Sequence, residues 1–327
     1  MKHTQVSGII AGVLAGVFWG TPFIAPIVLP GFTALQVTFG RFFFFALVSI
    51  LFFPRIWRAF RAFSVGDVWQ ILFLSASGFW LYTLLLFYGI HLSNSIVAAL
   101  VIGCLPLTIT LFGKPRFNTQ LCLGLVLIVI GLASLLVFPL LHSHQSLALR
   151  HFNPVGLLAI LMALILWTWF AIKNAHFMSS HLNVSALDYS SMLGIISFVC
   201  ILPFFILSGG LHAVMSSPHV GTYLFWSLIL GLGASWIANI LWAYSAKVCP
   251  PAIGGPLIVS ETLFALLYSF ILEKRPPFPN EFVATLALVV GVVLSIRSQG
   301  RALSEVVEAE GFDQAGEQAT DQAEELL

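Results

Sequence analysis

Apolar residues run in long blocks along almost the whole chain, and polar residues cluster in the short gaps between them. Crossing roughly 30 Å of hydrocarbon takes about 20 residues of helix. Ten blocks approach that length, at 7–28, 34–53, 68–90, 95–112, 119–138, 155–177, 186–207, 221–243, 251–271 and 281–297. The two longest connections, near 139–154 and 208–220, are rich in His, Ser, Gly and Pro. The pattern predicts an all-α integral membrane protein of ten transmembrane helices.

The blocks repeat. Shifted by 148 residues, the first span lies on the sixth, Gly8 on Gly156, Ala11 on Ala159, Ala15 on Ala163 and Trp19 on Trp167. Shifted by 156, the third and fourth spans lie on the eighth and ninth. Trp80 then meets Trp236, Thr83 meets Asn239, Tyr88 meets Tyr244, and Leu105-Pro106 meets Glu261-Thr262. Trp and Tyr are scarce in this chain, so their matches carry the repeat. Each half holds five spans, an odd number, so the second half crosses the membrane in the opposite sense. Two five-helix inverted repeats are an architecture of secondary transporters, in which the halves exchange conformations around a central site. The expected organisation is a first repeat over 1–138, a connecting loop over 139–154, a second repeat over 155–297 and a tail over 298–327.

Composition agrees. The chain is 59% hydrophobic and 8% charged, with mean hydropathy +1.00. A water-soluble fold could not hide that much apolar surface. The net charge of +1 conceals segregation, because eight of the 13 acidic residues lie in the last 30 positions. That segment reads as a solvated, disordered appendage. Ten of the 14 Lys and Arg residues fall on the side that holds the N-terminus, led by Arg55, Arg58 and Arg61, which places both termini in the cytoplasm of a cell-membrane protein. Lys2 precedes the first apolar run as in a signal peptide, but the run is long and the ten-span count needs it, so it reads as a retained span.

Few groups could carry chemistry. Glu261 is the one acidic residue deep inside an apolar run, about 15 Å along its span and near the midplane. A charge there costs a few kcal/mol on insertion scales and points to a functional role. Desolvation favours the neutral acid unless a cation faces it. Three roles stay open: a proton carrier coupling transport to the gradient, a contact for a cationic substrate group, or a protonated donor between helices. Arg41 lies roughly 12 Å into the second span. It either snorkels to the outer interface or faces inward to hold an anion. Both residues break the repeat, since Glu261 falls opposite Leu105 and Arg41 opposite Leu193.

Trp19, Trp80, Trp167 and Trp236 sit within spans, and Thr83 and Asn239 follow two of them at a spacing of three, on a shared helix face. They read either as the wall of a small-molecule pocket or as helix packing. Tyr88 and Tyr244, near span ends, read as interface anchors. Pro22, Pro106 and Pro256 are candidate helix breaks or gates, with Pro26 loosening the end of the first span and Pro250 and Pro251 the entry to the ninth. Gly8, Gly12, Gly16 and Gly20 form a stripe at spacing four that invites close helix packing.

Cys104, Cys122, Cys200 and Cys249 show no metal-ligand spacing, and the nine His are scattered, mainly in loops. No nucleotide-binding or zinc-protease signature occurs. No cofactor, metal or nucleic-acid partner is expected. The expected partners are the bilayer, a small-molecule substrate and protons.

Trp19-Gly20, Gly40-Arg41-Phe42, Leu105-Pro106-Leu107, Ser260-Glu261-Thr262-Leu263-Phe264 and Leu272-Glu273-Lys274, in this order, resemble the EamA-type transporters of the drug/metabolite transporter superfamily. The resemblance covers about residues 7–297. Thr262 stands where that family usually has proline, and the first half lacks the terminal glutamate. The resemblance implies a carrier without an ATP site that exports, or in some members takes up, small metabolites or drugs; few charges in the body and many aromatics suggest a small, partly apolar substrate such as an amino acid. An uptake permease or facilitator is the alternative. A membrane enzyme is more remote, because two deep charged residues are too few for a catalytic set. A scaffold is also remote, because it has no need of inverted halves.

Overall fold

A computed structural model describes residues 2–61, 63–92, 98, 101–112, 117–142, 153–181, 184–249, 257–274, 276 and, with single-residue gaps, 282–298. Every regular element among them is helical. Helix α1 (Lys2–Trp19) leads into a 3-10 turn, Thr21–Ile24, and a short α2 (Ala25–Val28). Pro22 opens that turn, and each proline removes an intrahelical donor, so the helix breaks where the sequence places its prolines. Then come α3 (Ala34–Ile50), α4 (Phe53–Phe60) and α5 (Val65–Ser75). A π-helical turn, Ala76–Trp80, joins α5 to α6 (Leu81–Leu92). Helices α7 (Leu105–Phe112) and α8 (Thr119–His142) complete the first half.

The second half begins with α9 (Pro154–Ser180) and α10 (Ala186–Leu207). It continues with α11 (Gly210–Met215), α12 (Val220–Leu228), a second π-helical segment (Ile229–Ile237), α13 (Ala238–Val248) and α14 (Val259–Glu273). Helix α14 stops at Lys274, whose φ of 51° is left-handed.

Five helical stretches are long and apolar enough to span a membrane: Thr4–Ile24, Val65–Leu92, Pro154–Ser180, Ala186–Leu207 and Val220–Val248. A sixth is the pair α3 and α4 taken together, although the chain turns by 87° between them. Helix α4 holds Arg55 and Arg58 on an amphipathic surface with Trp57 exposed, the composition of a helix lying along an interface. The other expected spans fall partly outside the described residues, which retain shorter apolar helices at Thr119–Gly131, Val259–Leu272 and Thr285–Ser295. Helix α8 continues past 138, where the connecting loop was expected to begin. Most of that loop and nearly all of the acidic tail lie outside the described residues.

Local sequence explains several helix starts. Thr33 caps α3 in a reciprocal box, Gln36 N donating to Thr33 Oγ1 at 3.3 Å and Thr33 N donating to Gln36 Oε1 at 2.9 Å. Ser185 caps α10, with Asp188 N donating to its Oγ at 3.0 Å and that Oγ donating to Asp188 Oδ2 at 2.7 Å. The two caps stand 152 residues apart, the offset that superimposes Arg41 on Leu193. The π-helical turns recur too. Each ends at or just after a tryptophan, Trp80 and Trp236, of the pair related by 156 residues.

Helices from early and late in the chain pack on one another. Helix α1 packs on α13 and α14, while its counterpart α9 packs on α6 and α7. Helix α3 packs along its own counterpart, α10. Phe39 and Phe205 stack there at 3.6 Å, and a Cβ on Gly194 would come within 2.7 Å of Phe45. The glycine stripe of α1 is a packing face. Added Cβ atoms on Gly12 and Gly20 would come within 2.9 Å of Leu257 and 2.8 Å of the Ala265 backbone. The outer surface is apolar, with Leu47, Leu51, Ile165 and Leu207 all exposed, as a lipid-facing surface requires.

Candidate functional site

The cross-packed helices enclose a cavity of about 20 Å³. That volume holds a water molecule or so and no metabolite. The first half contributes Trp19, Pro22, Arg41 and the segment Gly78, Phe79, Tyr82 and Leu86; the second contributes Trp167, Phe170 and Glu261.

Arg41 faces inward and is 5% exposed, so the interior placement holds and snorkelling does not. The second π-helical segment grips it. Arg41 Nε donates to Ser235 Oγ at 2.6 Å and one terminal N–H donates to the Ala234 carbonyl at 3.1 Å. Thr83 Oγ1 of α6 receives another at a long 3.5 Å. The wider turn of a π-helix leaves backbone carbonyls off the regular ladder and is common at functional sites. It positions the Ala234 carbonyl and the Ser235 hydroxyl for this guanidinium. Three N–H groups are engaged in these contacts, which leaves donors over for the cavity.

Glu261 enters from the first turn of α14, 6% exposed. It is close enough to Arg41 for the two charges to attract, and the two do not form a direct ion pair. The close approach of α1 fixes its backbone, since a Cβ on Gly16 would lie 2.9 Å from Glu261 N. The carboxylate and the guanidinium therefore share one small cavity with a gap between them.

An aromatic cluster forms one wall. Trp19 and Trp167 meet edge to face at 5.3 Å, and Trp242 lies 5.3 Å from Trp19 and 6.1 Å from Trp167. Tyr82 and Phe170 lie 6.2 and 5.3 Å from Trp167.

Of the sequence candidates, Trp19, Pro22, Arg41, Trp167 and Glu261 line the cavity together, and Thr83 touches it through Arg41. Trp80 and Trp236 sit elsewhere. Trp80 stacks on Phe204 at 6.1 Å, while Trp236 stacks on Phe52 at 5.6 Å and donates to Ser191 Oγ at 3.2 Å. Asn239 is fully buried, its amide without a hydrogen-bond partner. Pro106 falls within α7, and Pro256 lies outside the described residues. Tyr82, Phe170, Trp242 and Ser235 were not among the sequence candidates. The repeat could have suggested Trp242, which falls opposite the cavity residue Leu86 at the same offset of 156. No group of His, Cys, Asp and Glu among the described residues could hold a metal ion.

The described residues thus form an all-helical bundle with an apolar outer face and a small buried cavity that holds Arg41 and Glu261. Residues 6–138 match the model of the EamA-like transporter family. The chain is similar to inner membrane protein YtfF of Escherichia coli (strain K12), 24% identical over 312 residues that cover 90% of this chain and 96% of that one. It is also similar to uncharacterized transporter YetK of Bacillus subtilis (strain 168), 22% identical over 262 residues covering 78% and 76% of the two chains. A crystal structure shares the fold with a TM-score of 0.70 at 19% identity, covering 91% of this chain and 99% of that one.

Proposed function

We propose that this protein is a secondary transporter that exports small, partly apolar metabolites, amino acids or drugs among them, across the cytoplasmic membrane by alternating access. Ten spans form two inverted five-helix halves, with both termini in the cytoplasm. The carrying observation is the placement of Arg41 and Glu261 on one buried cavity that both halves line. Matched packing of α1 with α13 and of α9 with α6 supports the exchange of roles between halves. YtfF is named an inner membrane protein and YetK a transporter, in keeping with this reading.

The mechanism follows from the cavity. Arg41, held by Ser235 and the Ala234 carbonyl, offers its free donors to an anionic or carbonyl group of the substrate. The tryptophan cluster covers the apolar part. Glu261 takes up a proton on one side and releases it on the other, coupling export to the proton gradient. A cavity this small has to widen for a metabolite to enter, so rocking of the halves accompanies every cycle.

Proteoliposomes holding the full chain, loaded with a metabolite panel and given an inward proton gradient, test the proposal. Gradient-driven movement of at least one small metabolite is expected. Glu261→Gln should abolish the gradient-driven component and spare exchange of that metabolite without a gradient. Unimpaired gradient-driven transport by Glu261→Gln removes the coupling role, and no movement of any panel member overturns the transport reading.

A further inference from the structure

A second cavity lies on the lipid-facing side of the bundle, away from Arg41 and Glu261. It is a groove of about 610 Å³ between α5 and α9. Phe73 and Trp169 form its floor, in contact at 5.8 Å. Trp69, Gln70, Lys173 and His176 stand at its polar end.

The exposed face of α9 changes character along its length. Leu158, Leu161, Met162 and Ile165 are exposed and apolar, then Trp169, Lys173 and His176 follow on the same face. That order matches the passage from hydrocarbon through the aromatic belt to the headgroup layer. Lys173 Nζ lies over the Trp169 ring at 5.5 Å, and no acidic partner meets it among the described residues. The nearby acid Asp67 is already held by Ser64 and by His181 Nε2 at 3.3 Å. The same end of the bundle carries α4 with Arg55 and Arg58, because Phe63 packs on Phe177 and His181 at the end of α9.

We propose that this groove binds one anionic phospholipid, its phosphate on Lys173 and His176 and an acyl chain along Phe73 and Trp169. The charge balance selects the headgroup. A choline or ethanolamine headgroup needs an anion beside its cation, and Asp67 is already engaged by Ser64 and His181. An anionic headgroup instead meets Lys173, without an acidic partner among the described residues, and the basic helix α4 nearby. The groove opens to lipid rather than to the central cavity, so its occupant arrives from the bilayer. On the orientation proposed above, that is the cytoplasmic leaflet.

Native mass spectrometry of the full chain in detergent tests this, with palmitoyl-oleoyl phosphatidylglycerol and phosphatidylcholine added in equal amount. The wild type should retain phosphatidylglycerol in preference. Lys173→Gln should lower that preference about fivefold, the scale of one cation near a membrane surface. His176→Ala should lower it as an independent variant, Lys173→Arg should keep it, and Lys274→Gln, at the far end of α14, should leave it unchanged. Equal retention of both lipids by the wild type overturns the proposal, as does an effect of Lys274→Gln as large as that of Lys173→Gln. The readout involves no transport, so its failure is distinct from failure of the carrier reading.

Discussion

Trp19 and Trp167 meet edge to face with ring centroids 5.3 Å apart and planes at 90°. They are also the pair that the 148-residue repeat superimposes. One lies in each half of the sequence, so this contact joins the two. Both side chains line the cavity that holds Arg41 and Glu261.

Trp167 is 4% exposed and packs on Trp19, Tyr82, Phe170 and Trp242. Trp167→Ala should lower stability by about 3–5 kcal/mol through the cavity it leaves. Trp167→Phe, which keeps an aromatic ring, should lose less than half of that. Thermal unfolding of the purified protein in detergent measures both, and equal losses would show that the ring contacts contribute nothing.

Arg41 binds through a fork, since its Nε and a terminal nitrogen reach Ser235 Oγ and the Ala234 carbonyl at once. A lysine ammonium cannot span both acceptors and still face the cavity. Arg41→Lys should therefore reduce transport at least tenfold while the protein still elutes as a folded species. Ser235→Ala removes one hydrogen bond to a charged group, about 1.5–3 kcal/mol, and should weaken transport less than Arg41→Lys. Wild-type transport by Arg41→Lys would show that charge alone suffices.

The sequence showed much of this site because charge in an apolar span is conspicuous. Arg41 and Glu261 stand out in blocks of Leu, Phe and Val, and Trp19 and Trp167 stand out through the repeat. The caps at Thr33 and Ser185 come from the structure alone, although each has a Gln or Asp three residues on. The sequence did not separate Tyr82 from Trp80. Both are aromatic and two residues apart, yet the cavity face of this segment runs through Gly78, Phe79, Tyr82 and Leu86, and Trp80 lies on the flank against Phe204. Apolar residues surround a membrane helix on every side, so periodicity does not show which face is interior. The π-helical turn at Ala76–Trp80 adds to the difficulty by shifting the helical register within the segment.

Gly16 on α1 and Gly31 in the turn before α3 separate close packing from open space. A Cβ on Gly16 would collide with Ser260 and sit 2.9 Å from Glu261 N, whereas one on Gly31 meets nothing within 4 Å. Gly16→Ala should cost about 1–3 kcal/mol by overpacking and should reduce transport by displacing the turn that carries Glu261. Gly31→Ala should be neutral in both. The pair is read by thermal unfolding and by proteoliposome flux, and a neutral Gly16→Ala would show that α14 can retreat without consequence.

Asp188 works in two places at once. Its carboxylate pairs with Arg55 of α4, Nε to Oδ1 at 3.2 Å and Nη2 donating to Oδ2 at 3.3 Å. The same Oδ2 accepts from Ser185 Oγ at 2.7 Å at the start of α10. The Arg55 side chain is 55% exposed, so solvent screens the ion pair and Arg55→Ala should cost at most about 1 kcal/mol. Asp188→Ala also removes the acceptor of the Ser185 hydroxyl and should cost about 1 kcal/mol more. Asp188→Asn keeps a side-chain oxygen for Ser185 and loses only the charge, so it should match Arg55→Ala. Melting temperatures in detergent should therefore rank Asp188→Ala below Asp188→Asn and Arg55→Ala, with the last two together. Equal losses in all three variants would mean that the contact between α4 and α10, rather than the helix start, carries the whole effect.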